Sequence, residues 1–521
     1  MFTIEHQRSV LLGDSTEGDA TDASQRQRHR PTTATVDVQT AVTDRDERGT
    51  QRPKRADVQL QTDSAVAGDS PVTKVDTAKL VDFLRRVEPR MLAALGHNVR
   101  SQAFAYYEQT LRSHRDERWQ MTHSLKHAAL PNDSAAAVGV HWNATGTTVA
   151  VAYGLRQAHE HWCEHSGVVC TWNTGKRSCN AAKPDWAQTT DTCVTTVRFH
   201  PVKPAIFACG LYNGQVLIYD LSEPDDRTLL AASTNVDGHS EPVSAMHWIR
   251  QTGVGGIQLA TSGYDGRVLL WTLPPRGIQL DLSTVYAITV QSLPRSLRGK
   301  VAGTDRAAGI SAMAFSGTQQ SGVFLAGGET GAVLHCNLST QDVIGTRAQQ
   351  PVYNPVVLCL AAHSACVYAV CACPHDPALY ATASGDGTVG IYNVLKVQPL
   401  RRVHLGATAQ FVYDVVWSPT DPMIIIAATA DGTLCVCELR ASDTSTSRMS
   451  LPDSSGLTPK PQTPSPDHAA AVSVSINPTS RRTLACATDH GVVHVYVTPQ
   501  THNNNNEHAQ QLRRMLASAD D

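Results

Sequence analysis

A cluster of histidines and cysteines is the first candidate for chemistry in this sequence. Residues 158–165, Ala-His-Glu-His-Trp-Cys-Glu-His, are of the types that bind transition metals. No second ligand pair follows at a fixed spacing, and the segment lies between two expected strands, where insertions are tolerated. We therefore interpret it as a decorated surface loop. The pairs Cys371/Cys373 and Cys435/Cys437 each share one face of a strand, so packing explains them. The sequence predicts no metal site.

Motifs of the common enzyme classes are missing. The chain has no Walker phosphate loop, no Gly-x-Ser-x-Gly elbow and no His-Glu-x-x-His. A net charge of −3 gives no reason to expect nucleic acid binding, and no apolar run is long enough to predict insertion into a membrane. The 13 cysteines fall mostly inside expected strands, which favours small buried side chains over disulfides. We expect a non-catalytic cytoplasmic protein without a cofactor.

Two phrases near the N-terminus have the pattern of a partner-binding strand. In each, a Gln-Thr pair follows alternating apolar and polar residues, so the segment can add as a strand to the sheet edge of a partner. Residues 1–75 contain one aromatic residue, Phe2, and are expected to form a disordered arm. Chance is the alternative, because the arm is rich in Thr and Gln. The central residues of the two phrases are Val38, Gln39, Thr40, Gln61 and Thr62.

Residues 76–112 have a helical pattern. Asp76 is placed to cap a helix, and Pro89 is expected to kink it or to begin a second helix. This segment either packs on the rest of the chain or binds a partner. The partner alternative is favoured because the segment follows a disordered arm. The apolar stripe at helical spacing consists of Leu80, Phe83, Leu84, Val87, Met91 and Leu95.

These segments flank seven copies of a repeated unit. Each copy has a strand that ends in an aromatic residue or proline, a strand of small residues, a turn glycine and a further strand, as at residues 379–392. The copies recur at roughly 45 to 65 residues, close to the period of a four-stranded propeller blade with loop insertions. The turn glycines are Gly167, Gly214, Gly266, Gly331, Gly387, Gly432 and Gly491.

The repeats resemble the WD-repeat family. The third unit resembles it best, since His239, Ser262, Asp265 and Trp271 match that family's His–Ser/Thr–Asp–Trp network, while Asp386 and Asp431 stand at the same turn in later units. The resemblance implies an all-β, seven-bladed WD-repeat propeller at residues 113–497, preceded by the disordered arm and the short helical segment. We expect a flexible insertion at 440–468 and a polar C-terminal tail at 498–521. Part of Trp119–Lys126 is expected to pair with the seventh blade and close the ring.

Further phrases resemble one subfamily, the WD-repeat dynein intermediate chains, and within it the smaller intermediate chain of intraflagellar-transport dynein. They include Val81–Glu88 and Leu293–Ser296, which lie outside the repeat pattern. The resemblance implies binding of a dynein heavy chain by the propeller, of hub-type light chains by the arm, and of a roadblock-type light chain by the helix. It also implies a second intermediate chain as a partner, and a place in the cytoskeleton of the cilium or flagellum, at the axoneme and basal body.

Other classes stay open at this point. One is an axonemal dynein intermediate chain, and another is a WD-repeat adaptor of a ubiquitin ligase or vesicle coat. A propeller enzyme would need acid and base groups that converge on the central channel, which a sequence does not show.

Overall fold

The computed structural model describes residues 77–100, most of 119–498, and positions 508 and 512, with short gaps in loops and a longer one at 451–468. The chain divides into two units, residues 1–101 and residues 102–521. The described part of the first unit is helical, and that of the second consists mainly of strands. Among the described residues, no helix is long and apolar enough to cross a membrane.

The strands of the second unit form seven sheets, six with four strands and one with six. A separate strand, β1 (Gln120–Leu125), comes first. Blade one contains β2–β5, at Ala136–Trp142, Thr148–Gly154, Gly167–Asn173 and Trp186–Thr190. Blade two contains β6–β9, at Val194–Phe199, Ile206–Leu211, Val216–Asp220 and Leu229–Ala232. Blade three begins with β10–β13, at Val243–Arg250, Ile257–Gly263, Arg267–Thr272 and Asp281–Ala287.

The remaining blades follow the same order. Blade four contains β14–β16 at Ile310–Phe315, Val323–Gly328 and Val333–Asn337, then a hairpin of β17 (Val343–Arg347) and β18 (Gln350–Tyr353), then β19 (Val356–Leu360). Blade five contains β20–β23, at Val367–Ala372, Leu379–Ser384, Thr388–Asn393 and Arg401–His404. Blade six contains β24–β27, at Val412–Trp417, Ile424–Thr429, Thr433–Leu439 and Thr444–Ser450. Blade seven contains β28–β30, at Ala471–Ile476, Thr483–Thr488 and Val493–Val497.

The seven sheets form a closed ring. The first strand of each blade contacts the first strand of the next, and the series returns from β28 to β2. The ring closes because β1 pairs antiparallel with β30, from Gln120 opposite Val497 to Leu125 opposite Val493. The pairing supplies blade seven with its outer strand and removes the edge that an open ring would leave. The seven-bladed propeller predicted from the repeats is confirmed.

Small and β-branched residues account for the inner strands. Strands β21 and β22 are buried at every position, because each blade is covered by a blade on either side. The turn between them places Gly387 at φ +78°, a conformation that favours glycine. In blade one, by contrast, Gly167 is the first residue of β4. A Cβ atom at Gly167 would lie 2.6 Å from the Thr192 carbonyl oxygen, so close packing explains this glycine.

A β-bulge recurs near the start of the first strand in all seven blades. The pairing register shifts across one residue, which is left without a partner on the neighbouring strand. Such a bulge turns a side chain away from the regular alternation. Each bulge residue faces the central cavity; they are Val138, Thr195, Ser244, Ser311, Tyr368, Tyr413 and Val472.

Two elements differ from the sequence prediction. The hairpin β17–β18 belongs to blade four in sequence but pairs with the edge of blade three, through a parallel match of Val285 with Val352. The segment 440–468, predicted to be a flexible insertion, contains strand β27, which pairs along the whole of β26. The sequence of β27, Thr-Ser-Thr-Ser-Arg-Met-Ser, lacks an apolar alternation because an outer strand is held chiefly by backbone hydrogen bonds. Residues 451–468 lie outside the described part of the chain.

In the first unit, α1 runs from Thr77 to Arg100 as one helix that includes Pro89. The chain therefore does not restart at Pro89, although this residue has no N–H group for the helical ladder. Asp76, the predicted cap, lies outside the described residues.

The predicted polar tail has an apolar anchor in the second unit. Leu512 is 4% exposed and packs in the cluster shared by blades five and six. His508, four positions earlier and so on the same helical face, contacts the Asp421 carboxylate at 2.9 Å. The tail residues that the structure describes are thus docked on the propeller.

Candidate functional site

Blade three contains a buried hydrogen-bond network of four side chains. Trp271 Nε1 donates to Thr261 Oγ1 at 2.9 Å, and Thr261 Oγ1 lies 2.8 Å from His239 Nε2. His239 Nδ1 lies 2.9 Å from Asp265 Oδ1. A neutral histidine with its proton on Nδ1 satisfies every contact, because each group then donates to the next. The network joins strands β11 and β12 to the loop that precedes β10.

The hydroxyl in this network belongs to Thr261, not to Ser262 as the sequence predicts. Successive side chains of a strand point to opposite faces, so only one of the two hydroxyls can meet His239. Ser262 instead contacts the Ser244 hydroxyl at 3.0 Å. The pair Thr-Ser satisfies the family pattern at either position, and the register of β11 decides between them.

Asp265 has further partners in its turn. Its carboxylate accepts the N–H groups of Ser240 and Arg267, each at 3.1 Å. Burial alone would raise the pKa of Asp265, but the hydrogen bonds from His239 and from these N–H groups outweigh it and lower the pKa. The ionised carboxylate is therefore the stable form in the folded chain.

Blade five repeats three of the four members. His363 Nδ1 lies 3.0 Å from Asp386 Oδ2, and His363 Nε2 lies 2.7 Å from Thr382 Oγ1. Tyr392 replaces the tryptophan, and its hydroxyl donates to the Ala361 carbonyl at 2.8 Å instead of to Thr382. Sequence reasoning selected Asp386 but missed His363 and Thr382. The signal was present, because His363 precedes Val367 by four positions, as His239 precedes Val243.

Blade six has a simpler turn. Asp431 Oδ1 accepts the Thr433 N–H at 3.1 Å and the Thr433 hydroxyl at 2.7 Å. The histidine position, four residues before β24, is Thr408 in the sequence and lies outside the described residues. Among the described residues of blade six, Asp431 thus supports its own turn through Thr433.

Polar side chains in the central cavity, about 320 Å³ in volume, connect adjacent blades. Burial raises the pKa of Asp414, even though nearby N–H groups and Arg198 oppose the shift. Because these groups hold neighbouring strands together, blade-to-blade bonding explains why polar side chains lie in and near the cavity. The bonds of the cavity-lining side chains are Arg198 Nε to the Met246 carbonyl at 3.1 Å, His247 Nε2 to the Met313 carbonyl at 2.7 Å, and the Val474 N–H to Asp414 Oδ2 at 2.8 Å. Outside the lining, the Phe199 N–H donates to His141 Nδ1 at 3.1 Å and joins blades one and two.

An exposed aromatic cluster stands at the cavity rim. Tyr368 and Tyr413 occupy the bulge positions of blades five and six, with ring centroids 5.3 Å apart. Phe411 is 47% exposed and lies 6.2 Å from the Tyr368 ring. The Arg156 guanidinium stacks over the Tyr413 ring at 3.5 Å. Aromatic and arginine side chains are enriched in protein interfaces, so we regard this rim cluster, Arg156, Tyr368, Phe411 and Tyr413, as a candidate interaction surface.

The apolar stripe of α1 is a second candidate surface. Phe83 is 49% exposed, Leu84 51% and Met91 55%. Leu80 is also exposed, while Val87 is half-buried. An amphipathic helix with an uncovered apolar face is suited to bind a partner. The side chain of Leu95 and the arm residues Val38, Gln39, Thr40, Gln61 and Thr62 lie outside what the structure describes.

Comparisons with known proteins agree with the fold and the subfamily resemblance. The family model "WD domain, G-beta repeat" matches residues 224–272, 354–393 and 398–438. The chain is 33% identical over 352 residues to cytoplasmic dynein 2 intermediate chain 2 of Mus musculus, an alignment that covers 67% of this chain and 65% of that protein. It belongs to the WD-repeat dynein intermediate-chain family.

Other relatives extend across the family. The human cytoplasmic dynein 2 intermediate chain 2 is 33% identical over 347 residues, which is 64% of this chain and 62% of that protein. The chain thus spans slightly less than two thirds of the length of either dynein 2 relative. The 78 kDa intermediate chain of the flagellar outer arm dynein of Chlamydomonas reinhardtii is 27% identical over 189 residues, covering 36% of this chain and 26% of that protein.

A solved structure gives the fold independently. A chain of the mitotic checkpoint complex crystal structure aligns with a TM-score of 0.50 and 18% identity, covering 74% of this chain and 97% of that chain. At this identity the likeness shows the propeller fold alone.

Proposed function

We propose that this chain is the non-catalytic intermediate chain of an intraflagellar-transport dynein. In this role the propeller binds the tail of the heavy chain and the N-terminal region recruits light chains, so that the motor supports retrograde transport in cilia and flagella. The observation that carries the proposal is the 33% identity to cytoplasmic dynein 2 intermediate chain 2 over 67% of this chain. The proposed location is the cytoplasm and the cytoskeleton of the cilium, including the axoneme and basal body.

The α1 stripe is proposed to bind a roadblock-type light chain. Phe83, Leu84 and Met91 lie within about two helical turns and leave roughly half of each side chain in water. Covering them with a partner removes apolar area from water, at about 25 cal/mol per Å². The charged residues Arg85, Arg86 and Arg90 are also exposed and are suited to the rim of such an interface.

The arm is proposed to bind hub-type light chains through its two Gln-Thr phrases. A dimeric light chain binds paired sites more tightly than single sites, because the second contact forms at high effective concentration. A second intermediate chain, bound to the other side of the same light-chain dimers, would make the motor contain two intermediate chains.

The heavy-chain tail is proposed to bind the rim cluster of the propeller. The bulge positions present Tyr368 and Tyr413 at the cavity rim, and Phe411 and Tyr368 keep exposed fractions of 47% and 37%. Large aromatic side chains carry much of the binding energy in protein interfaces. The sequence alone did not show which face of the propeller binds.

Affinity purification of the tagged chain from ciliated cells, followed by mass spectrometry, tests these assignments together. The F83D/L84D variant should lose the roadblock-type light chain and keep the heavy chain. The quadruple alanine variant of Gln39, Thr40, Gln61 and Thr62 should lose only the hub-type light chain, while Y368A/F411A should lose the heavy chain. Asp82→Ala, an exposed residue on the face of the same helix opposite the stripe, is the matched control. Recovery of ubiquitin-ligase or vesicle-coat subunits without any dynein chain would overturn the proposal.

An axonemal intermediate chain is the second candidate. It is favoured by the match to the flagellar outer arm chain, although that match covers 36% of this chain, compared with 67% for the dynein 2 relative. Fractionation of cilia separates the two. A transport motor is released with the soluble matrix, and an axonemal motor stays with the microtubule doublets until high salt extracts it.

A further inference from the structure

The loop between β3 and β4 in blade one brings three potential metal ligands together. The ligand atoms of His159, Cys163 and His165 all lie within 4.8 Å of one another. Cys163 is 7% exposed and the two histidines are half-buried. The sequence analysis interpreted this segment as a decorated surface loop without a metal. The structure instead brings the ligand atoms of these three residues together, next to Cys193, the residue before β6.

Cys193, the residue before β6, is a neighbour of Cys163, although its Sγ is not one of the three ligand atoms that lie within 4.8 Å of one another. Its Sγ lies 3.7 Å from the His165 carbonyl oxygen, and Cys163 Sγ lies 3.5 Å from the same oxygen. The Cys193 N–H donates to Cys163 Sγ at 3.4 Å. Gly154 allows this approach, since a Cβ atom there would lie 2.7 Å from the Val194 carbonyl oxygen and 3.1 Å from Cys193 Cβ. Both cysteines are unpaired, and Cys193 is 2% exposed.

The hydrogen bonds around the cluster leave ligand atoms unused. Nδ1 of His159 and Nδ1 of His165 are buried and have no hydrogen-bond partner among the described residues. His159 Nε2 contacts the Leu155 carbonyl at 3.0 Å, so its proton lies on Nε2 and the lone pair of Nδ1 is free. This arrangement, in which the second ring nitrogen donates to a carbonyl, is the usual outer shell of a metal-bound histidine.

Both sulfur atoms accept backbone N–H groups. Cys163 Sγ accepts the N–H of Cys193, and Cys193 Sγ accepts the N–H of Leu155 at 3.2 Å. Burial raises the pKa of the Cys193 thiol in the metal-free chain, and a bound divalent cation would displace its proton. Two thiolates and two neutral imidazoles would bind a divalent cation as a complex without net charge, which suits a buried position.

From this geometry we propose that His159, Cys163, His165 and Cys193 form a structural zinc site. Four nitrogen and sulfur ligands with no open position are the chemistry of structural Zn²⁺, and they exclude the oxygen-preferring Mg²⁺ and Ca²⁺. Tetrahedral Zn²⁺ needs ligand atoms about 3.4 to 3.8 Å apart. On binding, the ligand atoms of His159, Cys163 and His165 therefore move closer together, and the Cys193 side chain turns toward them. The site links the β3–β4 segment of blade one to the residue before β6, and so stabilises the junction of blades one and two.

Metal analysis of the full-length chain tests the proposal. Protein produced in zinc-supplemented medium and dialysed into metal-free buffer should carry about one Zn²⁺ per chain. The C163S/C193S variant should carry less than about a tenth of this amount, because it lacks both thiolates. Cys179→Ser, in the same blade but away from the cluster, is the matched control and should keep its zinc. A chelator should lower the melting midpoint of the wild type and of the control, but not that of the double variant.

Cobalt spectroscopy covers the case in which the double variant does not fold. Co²⁺ added to chelator-treated wild-type chain should give the charge-transfer bands of two thiolates and the visible bands of tetrahedral cobalt. No such bands, together with no retained zinc, would overturn the site. Equal zinc in the wild type and the double variant would show adventitious binding only. A Cys163–Cys193 disulfide, found by peptide mapping under non-reducing conditions, would replace the metal site by a covalent link.

Discussion

Blades three and five have the same His–Thr–Asp arrangement but complete it differently. The two His–Asp contacts measure 2.9 and 3.0 Å, and the two His–Thr contacts 2.8 and 2.7 Å. In blade three, Trp271 donates to the threonine, whereas in blade five Tyr392 donates to a backbone carbonyl. The histidine and aspartate are therefore the constant part, because they join the turn to the loop before the blade. The aromatic residue can vary if its polar atom finds another acceptor.

The two networks also differ in their contact with water. Asp265 has 3% of its side chain exposed and Asp386 has 9%. An unpaired group costs less when water can reach it, so blade three should depend more on its aspartate than blade five does. The comparison thus predicts a ranking of substitutions.

The largest effect is expected for Asp265→Ala. The change leaves His239 and the N–H groups of Ser240 and Arg267 without an acceptor, at about 1 to 3 kcal/mol for each buried group that stays unpaired. Asp386→Ala should lower the melting midpoint less. Scanning calorimetry of both variants measures the difference, with Asp342→Ala, an exposed residue outside the networks, as the control. Equal midpoints for the Asp265 variant and the wild type would show that the network adds no stability.

A smaller effect is expected for Thr261→Val, which sharpens the assignment of the hydroxyl in blade three. Valine keeps the shape of threonine but leaves the Trp271 indole N–H without its acceptor, at about 1 to 3 kcal/mol. Ser262→Ala removes a hydroxyl that contacts Ser244 and should cost about 1 kcal/mol or less. Chemical denaturation of the two variants gives the comparison. A larger loss of stability for the Ser262 variant than for the Thr261 variant would show that Ser262 supplies the hydroxyl of the network.

The smallest effect concerns pH in blade five. Burial alone would raise the pKa of Asp386, but the Thr388 hydroxyl, His363 and the Ser364 N–H lower it from 3.8 to about 2. The folded chain therefore binds fewer protons there than the unfolded chain, and the stability from this carboxylate is complete above pH 3.8. It is lost as the pH falls toward about 2. The difference in denaturation free energy between wild type and Asp386→Asn should stay constant from pH 7 to pH 5 and shrink below pH 3.8. A difference unchanged at pH 2.5 would contradict the ionised network.

Blade one contains a cluster of side chains that sequence patterns did not predict. The types of His159, Cys163 and His165 are visible in the sequence, but their fourth neighbour, Cys193, is 28 residues beyond His165 in another blade. No fixed sequence spacing relates Cys193 to the other three residues, because the lengths of the β3–β4 loop and of the β5–β6 connection determine how far apart they lie in the sequence. The same holds for Arg156 and Tyr413, whose stacking joins blade one to blade six.

The sequence by itself determined the architecture of this protein. Seven copies of a strand–turn–strand pattern predict seven blades, since local alternation and turn glycines specify each hairpin without reference to distant residues. The last copy lacks an outer strand, which predicted that part of Trp119–Lys126, ahead of the first full copy, closes the ring. The pairing of Gln120–Leu125 with β30 confirms this prediction. Three members of the blade-three network, His239, Asp265 and Trp271, were predicted for the same reason, because the network lies within one repeat. The sequence carries the same signal for His363 in blade five, although only Asp386 was selected there.

Only the tertiary structure decided which side chains meet between repeats. The bulge that sends Tyr368 and Tyr413 to the cavity rim, the pairing of β17–β18 with the neighbouring blade, and the docking of Leu512 all depend on contacts between residues distant in sequence. Strand register chose Thr261 over Ser262, since a shift of one residue exchanges the two faces of a strand. Sequence patterns report local preference, whereas packing between blades selects one arrangement among several that local preference allows.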